Sequence, residues 1–160
     1  MWEASYPFFE WHDKCWLGET ISGSIWLFPF VETIHILAMA IMFGALMVLN
    51  LRMLGLGMRH QTLQVLGKQL MPYVNWGLAI MLLSGYALFS SEAIKSFTND
   101  GFKFKMGALA TVLIFQYTLY RWVVYRDVGG KEGPLAAATA LLSFGLWFCV
   151  GAGGRAIGFV

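Results

Sequence analysis

The stretch IWLFPFVETIHILAMAIMFGALMVL, from Ile25 to Leu49, decides the fold. It is apolar almost throughout, and its two ionisable residues are Glu32 and His35. At about 1.5 Å per residue, a helix of this length crosses a hydrocarbon core of about 30 Å. Three further apolar runs follow, from Pro72 to Ser90, from Met106 to Val124 and from Leu135 to about Gly154. Backbone amides and carbonyls in lipid must be satisfied within the segment or in a closed barrel, and none of the runs has the period-two alternation of barrel strands. The expectation is an all-α integral membrane bundle of four transmembrane helices, at about 25–49, 72–90, 106–124 and 135–154. A separate N-terminal segment, 1–24, precedes it.

Composition agrees. Of 160 residues, 58% are hydrophobic and only 12% charged, about half the charged share of a soluble domain. A net charge of +2, from 11 basic and 9 acidic residues, provides no patch able to neutralise many phosphates, so no nucleic-acid partner is expected. The bilayer is the expected solvent. Neither a G-x-S-x-G turn nor a glycine-rich phosphate loop is present, and no catalytic residue is assigned.

Orientation follows from the basic residues of the connections. Arg52, Arg59, Lys68, Arg121, Arg126 and Lys131 fall on one side; Lys14, Lys95, Lys103, Lys105 and Arg155 fall on the other with most of the acids. The positive-inside rule then places both termini in the periplasm of a bacterial inner (cytoplasmic) membrane. Residues 1–24 lack the basic and apolar regions of a cleavable signal. Their Trp2, Tyr6, Phe8, Phe9, Trp11 and Trp16 suit a segment lying at headgroup level.

The boundaries carry their own signals. Gly55-Leu56-Gly57 ends the first helix, Pro72 and Pro134 stand in first turns, and Asn99-Asp100-Gly101 marks a turn. Small residues at helical spacing, Ala40 with Gly44, Gly77 with Gly85, and Gly145 with Cys149, are expected where helices approach closely.

The chemistry centres on the first span. Glu32, His35, Met39 and Met42 follow one another at intervals of 3, 4 and 3 residues, which places them on one helix face. Ionisable groups at membrane depth normally face the bundle and have partners, so Glu32 is expected to pair with Arg155, or with Lys103 or Lys105. Counting inward from the outer surface puts His35 level with Gln116, Met81, Ser84, Ser143 and Trp147. A structural polar layer of Glu32, His35, Gln116, Ser84 and Ser143 follows, with Gln116 or Ser143 satisfying the imidazole. Two cofactor readings use the same residues. Copper would take the metal set His35, Met39, Met42 and Glu32, in which imidazole and thioether suit Cu(I). Haem b would take His35 as axial ligand with Met81 or Met39, or a second copy of the chain, opposite, and Arg155, Lys103 or Lys105 for the propionates.

The run Pro29-Phe30-Val31-Glu32-Thr33-Ile34-His35, with Gly44, Asn50-Leu51-Arg52-Met53-Leu54-Gly55, Pro72 and Phe102-Lys103-Phe104-Lys105, resembles an uncharacterised family of bacterial four-helix inner-membrane proteins. It is also distantly similar to the membrane domain of the copper-resistance protein CopD. That resemblance implies an inner-membrane location and membrane histidines. The function expected is that of a non-catalytic subunit in a larger membrane assembly, joined to a membrane-protein partner or to copies of itself. The alternative is a protein holding haem b for electron transfer, or handling copper, through His35.

Overall fold

The computed structural model describes residues 7, 10, 11, 15–93, 99–126 and 133–156. Helices account for the architecture, and there is no strand among the described residues. They are α1 (Trp16–Ser22), α2 (Leu27–Met53), α3 (Leu63–Ser91), α4 (Asp100–Phe115), a π-helical turn (Gln116–Tyr120) leading into α5 (Arg121–Tyr125), and α6 (Pro134–Ala156). Helices α2, α3, α4 continued through α5, and α6 are each long and apolar enough to cross a membrane. The chain is thus a four-span membrane protein whose outer faces meet lipid.

Two spans begin well before their apolar runs. Thr62 caps α3, its Oγ1 accepting from Val65 N at 3.4 Å. Asn99 caps α4, its Oδ1 accepting from Phe102 N at 3.3 Å. At 29 residues, α3 is about 43 Å long, so its polar first turns project beyond the hydrocarbon, where hydropathy gives no signal. Pro72 accordingly lies inside α3, not in a first turn. Its ring is on the exposed face, where the loss of one backbone hydrogen bond is tolerated. Asn99-Asp100-Gly101 is likewise the start of α4 and not a turn between elements.

The end of α2 conforms to its signal. Gly55 adopts φ 72°, its amide bonds Arg52 O at 3.0 Å, and Leu56 N bonds Leu51 O at 2.9 Å. This is a Schellman cap, which requires the left-handed backbone that glycine adopts without a Cβ clash. Arg52 is buried in the last turn, with Nε donating to Gln61 O at 2.8 Å. A residue counted as a connection charge therefore ties α2 to the loop that enters α3.

Each span packs on the next around the ring, with α2 also meeting α6 and α3 meeting α5. The core holds Met42, Leu46, Leu49, Val74, Val112 and Val124. At Gly77 a Cβ would lie 2.9 Å from Met42 Cβ and 3.0 Å from Ala38 O, so α2 and α3 are in backbone contact there. Gly44 and Gly145 have nothing within 4 Å of the equivalent position. They are exposed, so only part of the small-residue pattern marks helix contacts. Helix α1 lies across α2 and α3 with Ile21 buried. Trp2, Tyr6, Phe8 and Phe9 of the aromatic segment, and Lys14, Lys95 and Lys131 of the charge count, lie outside the described residues.

Candidate functional site

His35 stands in the N-terminal half of α2, half-buried, with Nδ1 2.9 Å from Ser84 Oγ on α3. Ser84 has one hydroxyl proton. Its Oγ lies 2.7 Å from Ile80 O and 3.2 Å from Met81 O, so that proton is directed at its own helix, a common arrangement for serine in membrane helices. With that proton on its own helix the oxygen accepts from Nδ1, and the Met81 backbone is a further hydrogen-bond partner of the ring; in the tautomer this arrangement assigns, Nε2 carries the lone pair. Among the described residues no hydrogen bond to Nε2 is formed.

The ring has this position because of glycine. A Cβ at Gly85, one residue past Ser84, would sit 3.1 Å from His35 Cε1. From the opposite side α4 brings Lys105, which runs along the end of α6. A Cβ on Gly153 would lie 3.1 Å from Lys105 Cα, and one on Gly154 would lie 3.6 Å from its Nζ. The Lys105 ammonium and the Glu32 carboxylate are both close enough to act electrostatically on the imidazole. Lys105 itself makes no hydrogen bond or ion pair among the described residues. The site thus combines an imidazole with a free Nε2 and a half-buried ammonium near enough to act on it, at the end of the bundle where α2 and α4 begin.

The expected stripe is not uniformly inward. Glu32 is exposed, His35 and Met39 are half-buried, and Met42 is buried. The first buried residue of α2 is Ala38, so among the described residues the helix is only loosely packed over its first turns, and Glu32 lies on that part. The pair with Arg155 is not formed. Arg155 is exposed in the last turn of α6, and Lys103 Nζ bonds Asp100 Oδ1 at 2.6 Å instead. Met42 fills the α2–α3 contact at Gly77, and Met39 packs against the core.

Gln116 does not meet His35. Its amide is fully buried with no hydrogen-bond partner. Ser143 does not meet it either, because Ser143 Oγ accepts from Asn50 Nδ2 at 3.2 Å. Asn50 Oδ1 in turn accepts from Tyr120 Oη at 2.9 Å. This buried Asn50–Tyr120–Ser143 network joins α2, the π-helical turn and α6, and the sequence reading missed it. Its available signal was an amide and a phenol near span ends. Both read as interfacial until the helices are seen to run on to Met53 and Tyr125.

Residues 8–160 match a family of unknown function, DUF6644. The chain belongs to that family. DUF6644 thus spans nearly all of it, including every residue of the His35 site and of the Asn50 network. No curated protein and no solved structure matches the chain significantly, and the resemblance to the CopD membrane domain finds no support there. Among the described residues, no three His, Cys, Asp or Glu side chains converge as a metal site.

Proposed function

We propose that this DUF6644 protein is a non-catalytic subunit of a larger assembly in the bacterial inner membrane, with both termini periplasmic, and that the outer turns of α2 are its docking face. The observation that carries this reading is Glu32. It is an exposed carboxylate on a membrane-spanning helix, with no ion pair among the described residues, on the one part of α2 that lacks a buried residue. An ionisable group near the hydrocarbon costs a few kcal/mol unless a partner compensates it, and a cationic or hydrogen-bonding group on a neighbouring subunit would do so. On the same turns exposed Trp26 and Phe30, with Leu27, Pro29 and Thr33, line a shallow cleft. Native electrophoresis of mildly solubilised membranes tests the proposal. The wild-type chain is expected to migrate well above its 17.9 kDa, and Glu32→Gln to release it. Migration as a monomer in both cases would overturn it.

A second reading is favoured by the free Nε2 of His35. Ligating histidines commonly have the other ring nitrogen held by a hydrogen bond, and Ser84 holds Nδ1. Haem b does not fit the donors. Met39 is one turn from His35 on the same helix and cannot stand opposite it across a ring plane, Met81 is packed into the hydrophobic core, and Met42 is committed to the contact with α3. A single Cu(I) ion would find Nε2 and the Met39 thioether, a soft pair suited to it, but the Lys105 ammonium beside His35 opposes a cation. Metal analysis and a visible spectrum of the purified protein discriminate. Stoichiometric copper that disappears in His35→Gln supports the reading, and a metal-free protein with unchanged stability on adding Cu(I) removes it.

A further inference from the structure

Three side-chain atoms among the described residues are buried without a hydrogen-bond partner: Nε2 and Oε1 of Gln116, and Nε1 of Trp147. Gln116 is 0% and Trp147 3% exposed. Orphaned buried donors and acceptors are rare in native proteins, because each costs about 1–3 kcal/mol. Three in one small bundle call for a common explanation, and their register supplies it.

Tyr120 and Ser143 both bond Asn50, which fixes the level of α6 against the π-helical turn. Gln116 precedes Tyr120 by four residues and Trp147 follows Ser143 by four. The two spans are antiparallel, so both residues lie about one turn outward from the Asn50 network. Helical side chains lean toward their own N-terminus. The pairing of the two spans that sets Gly101 against Ala156 and Gly153 against Lys105 puts Gln116 inward of Trp147, so Gln116, leaning outward, and Trp147, leaning inward, lean toward each other along the axis. The π-helical turn packs on α6, and Phe43 closes the α2 side edge-on to Trp147, with ring centroids 5.3 Å apart.

We propose that the bundle interior holds a resident water site between Gln116 and Trp147. The water accepts from the Trp147 indole N–H and donates to Gln116 Oε1, and the Gln116 amide N–H donates to the same water or to a second one. A neutral ligand of this size is what the surroundings admit. The only charged side chain among the described buried residues is Arg52, and it is bonded to Gln61 in the loop before α3. Ordered water with two to four polar partners is the usual occupant of such places. Together with Asn50, Tyr120 and Ser143, it makes a hydrated polar seam about two turns deep where α2, α6 and the π-helical turn meet.

The test uses the full-length protein in lipid nanodiscs, labelled with nitrogen-15 at the tryptophan indoles. Assignment by Trp147→Phe is needed because Trp16, Trp26, Trp76 and Trp122 are exposed and meet solvent or headgroups. The expected result is magnetisation transfer from water to the Trp147 indole proton, lost in Gln116→Leu. That variant is also expected to melt below wild type, because it leaves the indole unpaired. No transfer in the wild type overturns the proposal. So does a Gln116→Leu variant that melts above wild type, since a dry site would gain by losing two unsatisfied atoms. Should Gln116→Leu fail to fold, the wild-type spectrum alone decides.

Discussion

Asn50 and Tyr120, 70 residues apart in the chain, are joined by a 2.9 Å hydrogen bond in the buried interior of the bundle. Both side chains are almost wholly buried, so the amide oxygen has no water to fall back on. Tyr120→Phe is expected to destabilise the protein by about 0.6–2 kcal/mol, between the mean for hydrogen bonds in membrane proteins and the cost of an orphaned acceptor. Thermal unfolding in detergent reads this, and a combined Tyr120→Phe, Asn50→Leu variant should recover part of the loss because the orphaned amide oxygen is gone. Additive losses would show that the bond is not coupled.

The glycines separate into two classes with opposite expected outcomes. Gly77→Ala pushes a methyl group to 2.9 Å from Met42 Cβ and 3.0 Å from a backbone oxygen, which cannot move aside without parting α2 from α3. A loss of about 1–3 kcal/mol is expected. Gly145→Ala meets nothing within 4 Å and should be neutral or gain up to about 1 kcal/mol from helix propensity. Melting temperatures of the two variants check this, and equal losses would contradict the helix contact.

Much of this was legible beforehand, and the misses share a cause. The four spans follow from apolar runs that only helices can satisfy in lipid. The depth of Gln116 does not, because it was counted from Met106. The helix starts at Asp100, so Gln116 is 16 residues in, about 24 Å, whereas His35 is 8 residues into α2, about 12 Å. The same correction moves Lys105, five residues into α4, inward toward the level of His35, close enough for its charge to act on the imidazole. Ser84 was counted correctly because α3 ends at Ser91, one residue from the end of its apolar run. Caps made by Thr62 and Asn99 set these lengths, and a hydropathy reading is blind to polar caps.

The hydrogen-bond geometry assigns the ring tautomer of His35. Nitrogen-15 spectra of histidine-labelled protein should show the Nδ1 resonance in the protonated range and Nε2 in the unprotonated range, and Gly85→Ala should disturb both because it encroaches on Cε1. A neutral ring protonated at Nε2 would contradict the role given to Ser84.

The expected orientation has a direct reading in labelling from outside. In a chain with Cys15 and Cys149 replaced, Trp16→Cys should react with an impermeant thiol reagent in intact spheroplasts. Arg59→Cys should react only after the membrane is opened. Both residues are exposed, so access is decided by side alone. The reverse pattern would invert the bundle.

The central claim is that the loosely packed outer turns of α2 dock a partner through Glu32. A photoreactive amino acid placed at Phe30, on the same first turns of α2 as Glu32, tests it in native membranes, with Leu83 on α3 as a lipid-facing control; both positions are well exposed. The account predicts a discrete adduct heavier than the 17.9 kDa chain from position 30, weak or absent from position 83, and lost when Glu32→Gln is added. Equal labelling from both positions, or an adduct at position 30 that survives Glu32→Gln, would contradict it.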